Sequence, residues 1–183
     1  MDIKEVLDYA QWAKDIILLN SRSGKAASRT VKRGQVYKCK LGMGVGSEER
    51  KERPCVVIQN NGSNLHSPNV IVAPITHGMS NHPTVALLNP KYDSDGNVIL
   101  DGNVYLANIV CVSKARLGDY ITTLSSNEMK TIDMAIAKSL DLEHYYTAKV
   151  NELEDKKEYI NKLKKHIIEL EKCNFVNDVR PIS

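Results

Sequence analysis

The chain has 183 residues, of which 42% are hydrophobic and only 5% aromatic, so it is long enough for one ordinary domain with extensions around a core of Val, Ile and Leu. A net charge of +3 permits an anionic partner without by itself pointing to nucleic acid. Cys39, Cys55, Cys111 and Cys173 form no CxxC pair, the charged N-terminus is no signal peptide, and no apolar run approaches the roughly 20 residues of a membrane span. These features exclude a disulfide scaffold and a membrane protein and lead us to expect a reduced, cytoplasmic protein.

Ile3, Val6, Leu7, Ala10, Ala13 and Ile17 recur at helical spacing, which predicts an amphipathic helix over 2–19. Residues 20–32, NSRSGKAASRTVK, are small, polar and basic and read as a flexible linker, whose Arg22, Lys25, Arg29 and Lys32, with Arg33, could brush phosphates. GQVYKCKL then reads as a strand and is followed by a loop loosened by Gly42, Gly44 and Gly46. No GK[ST] follows these glycines, so they do not form a phosphate-binding loop. Pro54 to Ile58 and Val70 to Ile75 are apolar strand-like runs on either side of a turn-rich loop, Gln59 to Pro68. The first run is preceded by Arg53 and the second delivers Thr76 and His77, so an arginine and a hydroxyl can meet at one rim of a sheet. TVALL, NVIL, NVYLANIVCV and LGDYI are further strands, with reversals at Asp95-Gly96 and Asp101-Gly102, the second predicting a hairpin. Many short strands between turn signals predict a small barrel or a strongly curled sheet.

Helix follows, with Ser126 as the expected N-cap and Met129, Ile132, Ile136 and Leu140 as one stripe. In the tail, Leu153, Ile160, Leu163, Ile167 and Leu170 fall at heptad a and d spacing over about two and a half heptads, with Lys156 at a d position. We expect the N-terminal helix and this tail to pack together or against a partner, burying Ile16, Ile17, Ile160 and Ile167. The expected organisation is residues 1–30 as helix and basic linker, 31–141 as the main domain, and 142–183 as a helical extension.

Several blocks in order carry a resemblance. They are Arg33-Gly34 with Val36-Tyr37; Gly46-Ser47-Glu48; Arg53-Pro54 with Val56-Val57-Ile58-Gln59-Asn60; Asn64, Ser67-Pro68 and Val70 to Ala73 with Ile75-Thr76; and Ser113-Lys114 with Arg116-Leu117. Together with Leu124 to Leu140, this pattern resembles the MazF/PemK family of mRNA interferases, the toxins of bacterial toxin–antitoxin pairs. The resemblance runs through most of 32–141. It implies an α+β fold with a small SH3-like β-barrel and a packed C-terminal helix, to which this chain adds an N-terminal amphipathic helix and a long C-terminal helix.

The chain departs from the family in places. Gln35 stands where an acidic residue is common, Asn108-Ile109-Val110 stands where some members have Gln-x-Arg, and Tyr105-Leu106-Ala107 stands where others have Arg-x-Asp. The loop 48–52, EERKE, is more charged than usual. The Arg53 and Thr76 positions are intact.

The resemblance implies metal-independent and cofactor-free cleavage of single-stranded RNA by a homodimer. It also implies a cognate antitoxin as partner and DNA binding by the toxin–antitoxin complex. Cleavage by 2′-OH attack needs removal of a proton, stabilisation of phosphorane charge, and protonation of the leaving oxygen. Arg53 suits the second task, since its planar fork matches phosphate oxygens; alternatively it is a structural arginine paired with Glu48, Glu49 or Glu52. Thr76 can bond a phosphate oxygen or orient the 2′-OH, or serve its own backbone. Ser47 can position substrate or shape a turn. His77 can move the proton that Arg53 cannot, and Glu48 can act as base or remain a solvated carboxylate. Gln59, Asn60, Asn64 and Asn108 are candidates for RNA contact, while Asn60 and Asn64, with Asn61, read first as turn formers. His77 and His82 lack further ligands for a metal. Two other readings stay open: a CcdB-like toxin that binds gyrase, and a non-catalytic RNA-binding or assembly module.

Overall fold

Valine and isoleucine run almost without interruption through 55–58 and 70–75, as expected of strands covered on both faces. In the computed structural model, residues 2–78 and 82–177 are described, with side chains through Glu171. The elements are α1 (Ile3–Ala27), β1 (Gln35–Gly42), β2 (Lys51–Val57), α2 (Asn61–His66), β3 (Asn69–Thr76), β4 (Val85–Ala86), β5 (Lys91–Tyr92), β6 (Val98–Leu100), β7 (Asn103–Tyr105), β8 (Val110–Ser113), β9 (Leu117–Thr123), α3 (Ser126–Ser139) and α4 (Glu143–Asn177). Residues 1–140 and 141–183 form two units.

In the first unit the antiparallel order is β4-β7-β3-β2-β1-β9, with β8 also on β3. Among the described residues β4 and β9 are the two ends of this path, so the sheet is open; of the small barrel and the curled sheet that the sequence allowed, it does not close into the barrel. Cross-strand partners Val36, Val56 and Ala73 point to one face, where Ile132 and Ala135 of α3 cover them. Tyr37, Cys39, Cys55, Val57 and Val72 point to the other, closed by Val31, Val112 and Leu117. Cys39 and Cys55 are free thiols in that second core, and the Cys39 hydrogen bond together with burial pushes the Cys55 thiol far up, so it stays protonated and inert.

Several elements differ from expectation. The linker is helix as far as Ala27, because Ser21, Ser23 and Ser28 return their hydroxyls to carbonyls three residues back and no proline interrupts. Two of the five basic residues considered for phosphate contact are engaged as well. Arg29 donates to the Leu117 and Gly118 carbonyls and stacks over Tyr37, and Arg33 donates to the Ile58 carbonyl and pairs with Asp133. The loop 59–68 contains α2, capped by Asn60, which accepts the Ser63 N–H at 2.8 Å. No β6–β7 hairpin forms across Asp101-Gly102. Instead β6 pairs with β5 around Asp95-Gly96, while β7 joins β3 and β4. Ser125, not Ser126, caps α3, in a reciprocal capping box with Glu128.

The N-terminal helix docks by its polar side. Trp12 lies against Gly42, whose backbone at φ +100° leaves no room for a Cβ. Arg116 stacks 5.1 Å from the Trp12 ring and donates to the Lys40 and Leu41 carbonyls. Asp15 pairs with Lys40 at 2.9 Å and Asp8 with Lys51 at 3.3 Å. The Lys40 hydrogen bond holds the Asp15 carboxyl below its ordinary value, so this docking contact is present at neutral pH and weakens as acid protonates Asp15. The apolar stripe that identified the helix, Ile3, Leu7 and Ile17, faces solvent, and Ile16 is exposed as well. In the second unit, Ile160 and Ile167 are exposed too.

The far end of α1 is fastened by Lys114, which is 1% exposed and donates from Nζ to the carbonyls of Ala27 (3.2 Å) and Asn64 (2.7 Å). A cation at a helix C-terminus also opposes the macrodipole. Lys114→Met is expected to cost about 2–3 kcal/mol, because two carbonyls lose their donor. The loss should appear in chemical denaturation as a lower midpoint, and an unchanged midpoint would show those contacts to be redundant.

Candidate active site

Strands β2 and β3 are antiparallel neighbours, so the start of β2 and the end of β3 lie at one rim of the sheet. The recorded ladder ends at Cys55 opposite Pro74, two residues short of Arg53 on one strand and of Thr76 on the other. The register of that ladder therefore carries both residues to the same edge. Arg53 is held from the other side by its partner Cys39 in β1. Its side chain reaches out, half-exposed, and Nε lies 3.3 Å from Glu49 Oε2. Of the acidic residues considered as partners for Arg53, Glu49 is the one in contact.

Glu49 belongs to the loop between β1 and β2, which folds back on itself. The Glu48 N–H donates to the Val45 carbonyl, and Glu48 Oε2 accepts the Val45 N–H at 3.0 Å. The Glu48 carboxylate is thus committed to its own loop, which weakens its candidacy as a base. Ser47 is exposed at the turn of the same loop. Glu48 and Glu49 face Asn108 across a cleft of about 330 Å³ that Leu41, Met43 and Val110 help to line. The Asn108 position, far along the sequence, is therefore brought to the Arg53 loop.

Thr76 is half-buried and pairs with Asn103 at the start of β7. The preceding Gly102 adopts φ +119°, and a Cβ there would lie 2.8 Å from the Thr76 carbonyl oxygen. The backbone of 101–102 is thus pressed directly onto the Thr76 peptide. The same segment supplies a residue that the sequence did not single out. Asp101 Oδ1 accepts the Gly102 N–H, and Oδ2 lies 3.3 Å from His77 Nε2. A carboxylate against one ring nitrogen fixes the ring's orientation and leaves Nδ1 for proton exchange. Asp101 was legible only as half of a turn dipeptide, because its partner is 24 residues away.

The asparagines divide. Asn64 is fully buried and donates to the Gln59 carbonyl, so as an RNA contact it is corrected to an internal anchor of α2. Asn60 is exposed, but its amide serves Ser63, and Gln59 donates to the Asn69 carbonyl at 3.3 Å. Of the four proposed RNA contacts, only Asn108 lines the cleft beside Arg53's loop. Among the described residues no group of three or more His, Cys, Asp or Glu side chains is placed to hold a metal ion, and no helix is long and apolar enough to cross a membrane.

Residues 32–140 match the family described as PemK-like, MazF-like toxin of type II toxin-antitoxin system. Over 118 residues the chain is 38% identical to Endoribonuclease MazF of Staphylococcus epidermidis, covering 63% of this chain and 95% of that relative. A mycobacterial endoribonuclease solved in complex with its cognate antitoxin is 31% identical, with a TM-score of 0.51 over 61% of this chain and 96% of that one. A second mycobacterial endoribonuclease structure is 28% identical, with a TM-score of 0.51 over 62% of this chain and 93% of its own. The matched span contains Arg53, Thr76, His77, Asp101 and Asn108, and stops before α4. By that match the chain belongs to the PemK-like, MazF-like family of type II toxins.

Proposed function

We propose that the chain is the endoribonuclease toxin of a toxin–antitoxin pair, cutting single-stranded RNA in a sequence-selective manner without a metal ion. The observation that carries this reading is the placement of Arg53 and Thr76 at one rim of adjacent strands, inside the span that matches the family. In the reaction, the substrate's 2′-oxygen attacks the adjacent phosphorus and the P–O5′ bond breaks, leaving a 2′,3′-cyclic phosphate and a 5′-hydroxyl. Arg53 leaves Glu49 and stabilises the developing phosphorane charge with its fork. The Thr76 hydroxyl bonds a non-bridging oxygen or orients the 2′-hydroxyl. His77, oriented by Asp101, moves the proton, while Ser47 and Asn108 position the strand. Free thiols, one of them the exposed Cys111, suit the reducing cytosol where such a substrate lies. A homodimer bound by a disordered antitoxin segment completes the reading.

The test is cleavage of a mixed-sequence RNA by the purified chain in EDTA, with the end groups of the products identified. Cyclic phosphate and 5′-hydroxyl ends support the proposal. No cleavage by wild type at high protein concentration would sink it in favour of RNA or gyrase binding. His77→Ala is expected to slow single-turnover cleavage about 10²-fold and to remove one ionisation from the pH–rate profile. Asp101→Asn should slow cutting less than His77→Ala does. If the His77→Ala profile keeps the wild-type shape, proton transfer belongs to another group.

A further inference from the structure

Helix α4 lies beyond the family match and is 35 residues long. Its apolar residues Leu153, Ile160, Leu163, Ile167 and Leu170 are each 44–57% exposed, all on the heptad seam. Such a row on a helix with a strongly charged remainder is an unpartnered face.

The residues on the seam specify its occupant. With Leu153 at a, the a positions continue as Ile160 and Ile167 and the d positions as Leu163 and Leu170. β-Branched residues at a with Leu at d favour two parallel strands. The flanking charges agree. In a parallel, in-register pair each g position faces the e position five residues later on the partner. That places Glu152 against Lys157 and His166 against Glu171, while Tyr159 lies beside Lys164. The antiparallel arrangement that opposes Leu153 to Leu170 and Ile160 to Leu163 instead sets Lys157 against Lys164. The two d-position lysines fit as well. Glu152 takes Lys149 Nζ at 2.8 Å and Lys156 Nζ at 2.6 Å on one side of the helix. The ammoniums are thus paired at a flanking position, and long methylene stems are able to line an apolar seam.

We propose that α4 is a homotypic docking helix, which pairs in parallel and in register with α4 of a second copy through Leu153, Ile160, Leu163, Ile167 and Leu170. With about two and a half heptads of apolar seam, the pairing is weak in isolation. It gains strength wherever a second contact already joins the two chains, because the effective concentration of the tails is then high.

The test uses the full chain with Cys111 and Cys173 replaced by Ser. Leu153→Cys, Ile167→Cys and, on the opposite face, Glu158→Cys are introduced singly, and disulfide dimers are followed under mild oxidation. Leu153→Cys and Ile167→Cys should both cross-link at least about tenfold faster than Glu158→Cys, because only seam positions meet disulfide geometry. Adding Leu163→Asp to the Leu153→Cys chain should reduce its rate to that of the control. Cross-linking at only one seam position overturns the proposal. An antiparallel pair that brings the two residues 153 together leaves the two residues 167 about 40 Å apart. Equal rates at all three positions also overturn it, since they report tails that collide without pairing. Cross-linking at none of the three overturns it too, and leaves an antiparallel pair or a different protein as the occupant.

Discussion

Arg53→Ala should reduce RNA cleavage by at least about 10³-fold, the scale of losing a preorganised cationic fork from a phosphoryl transition state. Stability should hardly move. The side chain is half-exposed and its one recorded ion pair is with Glu49, at 3.3 Å, and such surface pairs contribute roughly 0–1 kcal/mol. The combination is diagnostic, because a misfolded variant would lose both activity and denaturation midpoint. Arg53→Lys should fall between wild type and alanine, since an ammonium keeps the charge but cannot bind two phosphate oxygens in one plane. Thr76→Ala should be damaging to a lesser degree, because one hydroxyl contributes a single hydrogen bond. If Arg53→Ala cuts RNA as fast as wild type, the rim of β2 and β3 is not where the chemistry happens, whatever the activity of the whole chain.

The largest structural effect is expected at Gly42. A Cβ there would lie 2.4 Å from Trp12 Cζ2 and 2.6 Å from Cε2, and the residue sits at φ +100°. Gly42→Ala therefore combines a strained backbone with a clash against an indole that Arg116 already braces from another side. We expect a loss of about 2–4 kcal/mol and release of the N-terminal half of α1, read as a lower melting temperature and faster amide exchange over 3–19. Combining it with Trp12→Ala should restore part of the loss. The expected coupling is at least about 1 kcal/mol, the share of the loss that comes from the clash, while the backbone strain persists whatever residue stands at position 12. Strictly additive effects would mean that α1 does not rest on Gly42.

The strands that carry the site were legible because their signal is local. Cys55 to Ile58 and Val70 to Ile75 are unbroken apolar runs with turn residues between them, and the site residues stand at their ends. The docking of α1 was not legible. Amphipathic periodicity points to the apolar stripe, whereas the contact is made by Trp12 and two aspartates that find lysines 25 and 43 residues away, at Lys40 and Lys51. The continuation of α1 through 20–27 was hidden for a related reason, since its end is secured by Lys114, 87 residues downstream of Ala27. The misassigned hairpin came from two equivalent Asp-Gly reversals. Which of them joins paired strands depends on β7 being claimed by β3 and β4, a tertiary choice without a local signal. Asn64 resembled its polar neighbours in sequence, yet it is fully buried.

The Arg53–Glu49 pair gives the rim a resident anion. A newcomer that offers one phosphate exchanges a carboxylate for another oxyanion, so its net gain is small and free phosphate or a mononucleotide competes poorly. An RNA strand bound as proposed also brings its neighbouring phosphates and bases to Asn108 and the loop around Ser47, and these added contacts tip the exchange. On the proposed reading, the glutamate that pairs with the arginine acts as a filter, letting chain length decide which phosphate-bearing ligand reaches it.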